Sequence, residues 1–268
     1  MTQLSLQEIK QTEFNILKTY ADYCKQNNLT YFLCGGTLLG AVRHKGFIPW
    51  DDDIDVFMPR PDFEKFVELT KENGISEYYD SCFYRDTKIK VDYPFIKIVD
   101  NRTKVIEKTK NEDNLLGIWI DVFPIDGFSN NMFINKLFCT RKQFWKRLCF
   151  TYSDDLSKVD KKKKLAKMLV MPFLKIMGQK RLFGKLENIC RKYDFEKSKN
   201  VGCTVWGYKI KELMKKTDLL PPSKVTFVEI EFNAPAVPSA YLSSLYGDFM
   251  QLPPEEKRIN HEMLAYKL

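Results

Sequence analysis

Four aspartates within five positions place the strongest constraint on how this chain folds. The stretch 51–55 reads Asp-Asp-Asp-Ile-Asp, and no cationic residue interrupts it. Like charges at this spacing repel one another, so the fold has to bring a neutralising group to them. The alternation over 53–58 predicts a strand, on which Asp53 and Asp55 leave the same face.

Two carboxylates side by side on a strand suit a hard divalent cation. Mg²⁺ prefers oxygen ligands and commonly shares them with the phosphates of a substrate. Asp53 and Asp55 therefore predict a site for Mg²⁺ or Mn²⁺, and the alternative is a solvated acidic turn. The spacing is not that of an EF-hand loop, which would need glycine where Val56 stands.

A Gly-Gly pair precedes the acidic cluster. Gly35 and Gly36 follow an apolar run at 31–34, which predicts a strand, and 37–42 has the composition of a short helix. Free backbone N–H groups and the helix dipole at such a turn favour an anion. Neither the G-x-G-x-x-G nor the G-x-x-x-x-G-K-[ST] pattern is present there. We therefore predict a phosphate cradle followed by a metal-binding Asp-x-Asp strand.

A further carboxylate stands inside an apolar run at 117–123. Asp121 is flanked there by Ile, Trp, Val and Phe, which predict a strand. A charge in such a run destabilises the fold unless it is paired or bound to a metal, so we predict that Asp121 has a cationic partner or a metal. Asp126, which follows Pro124, is predicted to be a turn residue.

The composition is that of an ordinary soluble globular chain. Hydrophobic residues make up 44% and charged residues 29% of the 268 positions, which excludes a disordered protein. The net charge of +8 favours anionic partners. Seven scattered cysteines without a C-x-x-C pair argue against a zinc site or a disulfide framework and favour a reducing cytoplasm. The N-terminus is polar, and no apolar run reaches the ~18–20 residues of a membrane span.

These motifs resemble the LicD family, which is related to fukutin and belongs to the nucleotidyltransferase-fold superfamily. The resemblance rests on GGTLLG at 35–40, WDDDID at 50–55 and GIWIDVFP at 117–124, and it resumes at 246–258. The superfamily has a Gly-Gly turn, an Asp-x-Asp pair and a third carboxylate on a later strand. The carboxylates that match this pattern are Asp53, Asp55 and Asp121.

The resemblance implies an α/β (α+β) fold with a nucleotidyltransferase-like core, in which helices flank a small mixed sheet. We expect a catalytic core over 1–129, a basic helical subdomain over 130–215, and a C-terminal segment over 216–268 that packs back near the site. The middle segment is rich in Lys, Arg and aromatic residues, which predicts basic amphipathic helices. Their lysines are either solvated or face an anionic membrane or acceptor. Nucleic acid is disfavoured because no recognised module accompanies the charge.

The activity that the resemblance implies is transfer of phosphocholine from CDP-choline to a sugar hydroxyl, with release of CMP. The acceptor would be a cell-surface glycopolymer, such as a teichoic acid precursor or a lipopolysaccharide-type glycan, or a lipid-linked oligosaccharide. Three alternatives stay open: a donor carrying ribitol or glycerol phosphate, a nucleotidyltransferase, and a non-catalytic binding protein at the membrane surface. We expect the chain in the cytoplasm, with peripheral contact at the inner face of the membrane.

The predicted site follows from these motifs and the resemblance. Asp53, Asp55 and Asp121 are assigned to the metal and to catalysis. Lys97 alternates with its apolar neighbours in the predicted strand 95–99, which is typical of a solvated lysine, whereas the resemblance implies a phosphate contact. His261 is predicted to be a surface residue rather than a general base. The predicted substrate contacts are Gly35, Gly36, Thr37, Arg43, Lys45, Trp50, Lys97 and Trp119.

Overall fold

The computed structural model describes residues 1–85, 91, 93–106, 116–153, 161–207, 209–258 and 264–268. The helices are α1 Leu6–Gln26, α2 Gly35–His44, α3 Arg60–Thr70, α4 Met132–Ser153, α5 Lys161–Met177, α6 Gln179–Cys190, α7 Lys216–Leu219 and α8 Pro238–Tyr246. The strands are β1 Thr2–Gln3, β2 Phe32–Leu33, β3 Asp55–Pro59, β4 Tyr79–Cys82, β5 Ile96–Asp100, β6 Thr103–Ile106, β7 Trp119–Phe128, β8 Asn200–Cys203, β9 Met214–Lys215, β10 Ser223–Phe227, β11 Ile230–Ala234 and β12 Leu264–Lys267.

A mixed sheet forms the centre of the fold. Its strands lie in the order β2-β3-β7-β5-β4, with β8 beside the second half of β7 and β9 beside β8. Strands β3 and β7 are parallel, whereas the other pairs in this sheet are antiparallel. The predicted fold class, a mixed sheet flanked by helices, is confirmed. Strands β8 and β9 come from the stretch 130–215, so that stretch contributes to the central sheet as well as helices. The division into three segments stays a prediction.

Helix α1 packs one face against the sheet. Ser5 Oγ accepts a hydrogen bond from the Glu8 N–H, and the Glu8 carboxylate accepts one from the Ser5 N–H at 2.8 Å. This capping box satisfies backbone donors at the start of the helix. The apolar residues that recur at helical spacing are buried, as the pattern predicts: Ile9, Ile16, Leu17, Tyr20 and Cys24.

The bounds of strands β3 and β7 differ from their sequence-based prediction. Strand β3 begins at Asp55 rather than at Asp53, because pairing with β7 starts where Asp55 meets its neighbour on that strand. Strand β7 continues past Pro124 to Phe128, because β8 pairs with its second half. Pro124 gives a turn signal in the sequence, and long-range strand pairing overrides it.

The prediction that Asp126 is a turn residue is wrong. Asp126 lies in β7, is 1% exposed, and accepts hydrogen bonds from Arg60 Nε at 2.7 Å and Nη2 at 2.8 Å. Arg60 Nη1 also donates to Glu187 of α6 at 3.0 Å, and Tyr84 and Arg85 donate to the same carboxylate. Removing one member would leave an uncompensated buried charge. This network therefore fixes α3 and α6 against β7.

The seven cysteines are all buried free thiols. Burial raises the pKa of Cys149, Cys190 and Cys203 to about 12 in each case. Because the thiolate is the reactive form, these three residues serve as small apolar packing groups rather than as nucleophiles.

Candidate active site

Two carboxylates and an ammonium group form one row across three neighbouring strands. Asp55 of β3 lies directly opposite Asp121 of β7, and Asp121 lies opposite Lys97 of β5. Residues in register on paired strands present their side chains on the same face of the sheet. Lys97 Nζ donates a hydrogen bond to Asp121 Oδ1 at 2.7 Å. Strand pairing therefore brings two of the predicted metal ligands together, with a cation at the end of the row.

Helix α2 begins immediately beside these carboxylates. It starts at Gly35, earlier than the predicted 37–42. Gly35 has a φ of +52°, and a Cβ there would lie 3.2 Å from Asp55 Oδ2. A Cβ on Gly36 would collide with Asp51 Oδ2. Gly35 therefore needs glycine for its left-handed backbone, and a side chain on Gly36 would have to displace Asp51, because acidic side chains pack against the first turn of α2. The positive end of the helix dipole stabilises negative charge at that point.

The carboxylates of the acidic cluster repel one another, and Asp55 is affected most clearly. Burial raises the pKa of Asp55 well above its ordinary value, the neighbouring carboxylates raise it further, and Lys97 opposes the shift. The neighbours, in decreasing order of effect, are Asp53, Asp121 and Asp51. A cation beside Asp55 would offset both the repulsion and the lost hydration.

The donor set fits Mg²⁺ without a preformed cage. Among the described residues, no three carboxylate, thiol or imidazole groups are already gathered as metal ligands. Mg²⁺ commonly takes one or two protein carboxylates and completes its shell with water and substrate phosphates. Asp53 and Asp55 both line the same cavity and offer such hard oxygen atoms. The chemistry of these side chains therefore suits a cation that binds together with a phosphorylated substrate.

Sequence analysis did not identify Glu13, a buried glutamate of α1 near the acidic cluster. Glu13 is fully buried, and neither carboxyl oxygen has a hydrogen-bond partner in the described part of the chain. Burial raises its pKa well above the ordinary value, and the charges of Asp121 and of the aspartates at 51–53 raise it further. Glu13 lies four residues after Ile9 and three before Ile16, so helical spacing alone places it on the buried face.

A cavity of about 800 Å³ opens over the acidic row. This volume is within the usual range of small-molecule sites. Seven predicted site residues line it: Gly35, Gly36, Arg43, Trp50, Asp53, Asp55 and Asp121. The other described lining residues include Phe57, Phe123, Cys203, Trp206, Glu212, Tyr241 and several positions between 245 and 254.

Four predicted contacts are not among the described residues that line this cavity. Thr37 is buried, and its Oγ1 accepts a hydrogen bond from the Asp55 N–H at 2.8 Å. Lys45 is exposed at the end of α2. Lys97 is 2% exposed, and its Nζ lies 3.9 Å from the ring centroid of buried Trp119. The solvated alternative for Lys97 is therefore wrong. Thr37, Lys97 and Trp119 support the acidic row from within the core.

Tyr241 and Glu212 line the cavity, and sequence analysis does not find either of them. Tyr241 Oη accepts a hydrogen bond from the Gly35 N–H at 3.3 Å and donates to Glu212 Oε2 at 3.4 Å. Burial, followed by the Glu212 charge, raises the pKa of Tyr241, so the phenol keeps its proton. No local motif marks these residues, because they reach Gly35 only through the tertiary fold.

The C-terminal stretch closes one side of the cavity through contacts with α2 and the loop that follows it. Arg43 Nη1 donates to the Phe249 carbonyl at 2.8 Å and to the Gln251 carbonyl at 3.4 Å. The Arg258 guanidinium carbon lies 5.2 Å from the centroid of the Trp50 ring. The stretch 246–258, where the sequence resemblance to the family resumes, therefore contributes residues to the cavity wall. His261 lies outside the described residues.

Two lysines of the basic helix α4 are directed into the protein rather than into solvent. Lys146 Nζ donates to the Trp206 carbonyl and lies 4.3 Å from the Trp206 ring centroid. Burial lowers its pKa to about 8. Lys142 is fully buried, and its Nζ has no hydrogen-bond partner among the residues that the structure describes. Since Trp206 lines the cavity, helix α4 supports the cavity wall from behind.

The sequence of the chain matches a known protein family. The family model described as LicD/FKTN/FKRP, nucleotidyltransferase domain, matches residues 28–177. The match covers more than half of the chain and contains the Gly-Gly turn and all three predicted metal ligands. The chain belongs to this family.

Individual proteins are also similar to this chain, and one of them matches it over nearly its whole length. The chain is 28% identical over 269 residues to the Haemophilus influenzae protein named lipopolysaccharide cholinephosphotransferase LicD, and the match covers 98% of each chain. It is 29% identical over 118 residues to the Rickettsia typhi protein RT0683, covering 44% of this chain and 35% of that one. It is 43% identical over 73 residues to the Rickettsia prowazekii protein RP689, covering 26% and 27%. The prediction that this chain is an enzyme, a transferase of the LicD type, is confirmed.

Proposed function

We propose that this LicD-family enzyme transfers phosphocholine from CDP-choline to a sugar hydroxyl of a cell-surface glycopolymer and releases CMP. The observation that carries the proposal is the row of Asp55 and Asp121 at a cavity that Asp53 also lines. The name of the Haemophilus influenzae relative supports choline phosphate as the group and a lipopolysaccharide as the acceptor. A teichoic acid precursor or a lipid-linked oligosaccharide has the same sugar hydroxyl chemistry.

The metal in this proposal is Mg²⁺, or Mn²⁺ in its place. Asp53 and Asp55 would hold it, with Asp121 as the third carboxylate. When bound, such a cation neutralises the donor phosphates and stabilises the charge that develops during phosphoryl transfer. Lys97 donates a hydrogen bond to Asp121, and Thr37 accepts one from the backbone N–H of Asp55, so each holds one of these two aspartates in place.

The reaction is one substitution at phosphorus. The acceptor hydroxyl oxygen forms a bond to the phosphorus that carries choline, and the bond from that phosphorus to the bridging oxygen of CMP breaks. CMP leaves with the electron pair, and we assign the hydroxyl proton to Asp121, which lies in the cavity wall. The protein's part is positioning and electrostatics, for which side chains on paired strands are well suited.

The first turn of α2 is the proposed seat of the donor phosphates. Gly35 and Gly36 bring the positive end of the helix dipole to the cavity, and Arg43 adds a guanidinium group to its lining. In this proposal Thr37 and Lys97 act through the two aspartates that they contact. Lys45 stays a proposed outer contact, since it lies exposed at the end of the same helix.

The aromatic wall of the cavity is the proposed choline site. A quaternary ammonium group is attracted to aromatic faces and to nearby carboxylates. Trp50, Trp206 and Tyr241 line the cavity together with Glu212, whereas Trp119 packs on Lys97 instead. Glu212 is only 4% exposed, so its charge is poorly screened by water. We assign choline recognition to this wall and give Trp119 a supporting role.

A donor comparison tests the proposal. The purified enzyme would be incubated with an acceptor glycan fraction, with Mg²⁺ or with EDTA, and with CDP-choline, CDP-ribitol or CDP-glycerol. We expect Mg²⁺-dependent CMP release and choline incorporation from CDP-choline. Preference for another CDP-alcohol would overturn the choline assignment, and incorporation of cytidine into the acceptor would identify a nucleotidyltransferase instead.

A further inference from the structure

Helix α5 has a large apolar face turned towards solvent. Five large apolar residues of this helix are 50% to 82% exposed: Leu165, Met168, Leu169, Phe173 and Ile176. At about 100° per residue these positions fall on one side of the helix, and we call them the α5 apolar face. Met171 and Leu174 lie on the opposite side and are buried, so they attach the helix to the protein.

This arrangement is the reverse of the usual one. A surface helix of a globular protein directs its apolar stripe at the core, and large exposed apolar patches mark binding surfaces for proteins or membranes. Among the described helices, none is long and apolar enough to cross a membrane. The exposed α5 apolar face is therefore available to a partner that lies along the surface of the protein.

The residues around the α5 apolar face are positively charged, so they favour a partner with negative charge. The seventeen residues of α5 include six lysines and no acidic residue, and the first turn is four consecutive lysines. Lys175 is exposed near the other end of α5, and Lys180 and Arg181 are exposed in the first turn of α6, which follows it. Helix α4, which packs against α5, also contains no acidic residue. The apolar face thus has cationic residues at both ends.

We propose that helix α5 lies in the surface of an anionic lipid bilayer, with its apolar face inserted and its lysines at the headgroups. Interfacial helices bind through buried apolar area combined with attraction between lysines and anionic lipid. A second copy of this chain is a poorer occupant, because two lysine-rich helices would face each other with like charge. This contact does not depend on the donor chemistry, and it would bring the enzyme to acceptors that are attached to lipid.

Vesicle co-sedimentation tests the proposal with the full chain. The wild-type protein should sediment with vesicles of phosphatidylglycerol and phosphatidylcholine in equal parts, and less with phosphatidylcholine alone. Raising the salt concentration should weaken the binding, since exposed charges are screened. The triple variant Leu169→Ser, Phe173→Ser, Ile176→Ser should lose about tenfold or more in partition coefficient.

Matched variants separate insertion from folding and from catalysis. Leu69→Ser and Ile230→Ser also replace exposed apolar residues, 42% and 40% exposed, but outside α5. They should sediment as the wild type does. The triple variant should keep the wild-type thermal unfolding temperature and the wild-type response to CDP-choline, because the replaced side chains contact solvent.

A fluorescence measurement reports the depth of insertion directly. The variant Phe173→Trp should gain emission that brominated lipids quench, whereas Leu69→Trp should not. Wild-type protein that stays in the supernatant with anionic vesicles would overturn the proposal, and so would equal sedimentation of the triple variant. A wild-type dimer that the triple variant converts to monomer, without vesicle binding, would assign the face to a second copy instead.

Discussion

The buried ammonium of Lys97 donates a hydrogen bond to Asp121 across β5 and β7, at 2.7 Å between Nζ and Oδ1. The same ammonium lies 4.4 Å from the ring centroid of Tyr93 and 3.9 Å from that of Trp119. Aromatic faces stabilise a cation that has lost its water. Lys97 is therefore held as a fixed positive charge beside a carboxylate to which we assign a catalytic role.

Replacing Lys97 tests this relationship. In Lys97→Met, Asp121 loses its cation and faces Asp55 with greater repulsion, so we expect kcat to fall by at least ~10-fold and the free energy of unfolding by about 3 kcal/mol. Steady-state kinetics and urea unfolding would measure the two effects. Lys104→Met, on the nearby strand β6, is the control and should leave kcat unchanged. Wild-type kcat in Lys97→Met would remove this lysine from the site.

Glu13 predicts an unusual dependence of stability on pH. Its pKa is raised above the ordinary 4.5 by burial and by nearby aspartates, so above that pH the unfolded chain releases the proton while the folded chain keeps it. The contribution of Glu13 to the stability of the wild type is therefore fully present below about pH 4.5 and is lost as the pH rises through its folded-state pKa. Glu13→Gln should be more stable than wild type at pH 7, and the difference should vanish in acid.

Thermal unfolding in EDTA across this pH range would measure the effect of Glu13→Gln. Glu68→Gln, an exposed position on α3, is the control and should follow the wild type at every pH. A Glu13→Gln protein that is less stable than wild type at pH 7 would show that the carboxylate has a stabilising partner in solution.

Arg43 should control closure of the cavity by the C-terminal stretch. Its guanidinium donates to the carbonyls of Phe249 and Gln251. Arg43→Ala should raise the KM for the donor by about tenfold, since losing hydrogen bonds to a charged group costs about 1.5–3 kcal/mol. Arg43→Lys separates two roles of this side chain. A wild-type KM in Arg43→Lys would show that only the positive charge near the donor phosphate matters. A raised KM would show that the hydrogen bonds to the two carbonyls matter. An unchanged KM in both variants would remove Arg43 from the site.

Asp126 predicts a stability effect without a catalytic one. It lies in β7 beyond Asp121, where Arg60 and Thr204 donate to it. Asp126→Asn leaves the buried guanidinium with less compensating charge, so we expect a loss of about 3–5 kcal/mol in the free energy of unfolding. Activity per folded molecule should stay near the wild-type value. Denaturant unfolding would measure the loss of stability, and kcat would be measured at a temperature where the variant is folded. A fall in kcat under that condition would show that Asp126 has a direct role in catalysis.

Local patterns in the sequence were sufficient for part of the account. The Asp-x-Asp spacing, the glycine pair and the apolar run that marks Asp121 can each be recognised from neighbouring residues. The two glycines and the three aspartates that these patterns mark all line the cavity. The capping box of α1 is similarly local. Pairing between strands that are distant in sequence explains most of the differences between the sequence-based predictions and the structure. Asp126 follows a proline turn signal in sequence, yet β8 and Arg60 draw it into the sheet.

Residues that meet only in the tertiary fold could not be found in this way. Tyr241 reaches the Gly35 N–H from the C-terminal part of the chain, and Glu212 reaches Tyr241 from a single turn of 3₁₀ helix. Neither lies in a motif with a recognised spacing. Lys97 is different, because alternation alone placed it on one side of β5, but its burial depends on Trp119 and Tyr93.

The most direct test of the central claim is thermal unfolding with CDP-choline, with and without Mg²⁺, for the wild type and for Asp55→Asn. A ligand at ~100 times its dissociation constant stabilises the folded state by about 2.7 kcal/mol. We predict this shift only for the wild type with both CDP-choline and Mg²⁺. Asp55→Asn alone should unfold at the wild-type temperature or above it, because carboxylate repulsion is relieved, and should be inactive. An equal shift in EDTA, or in Asp55→Asn with Mg²⁺, would contradict the metal site and with it the proposed mechanism.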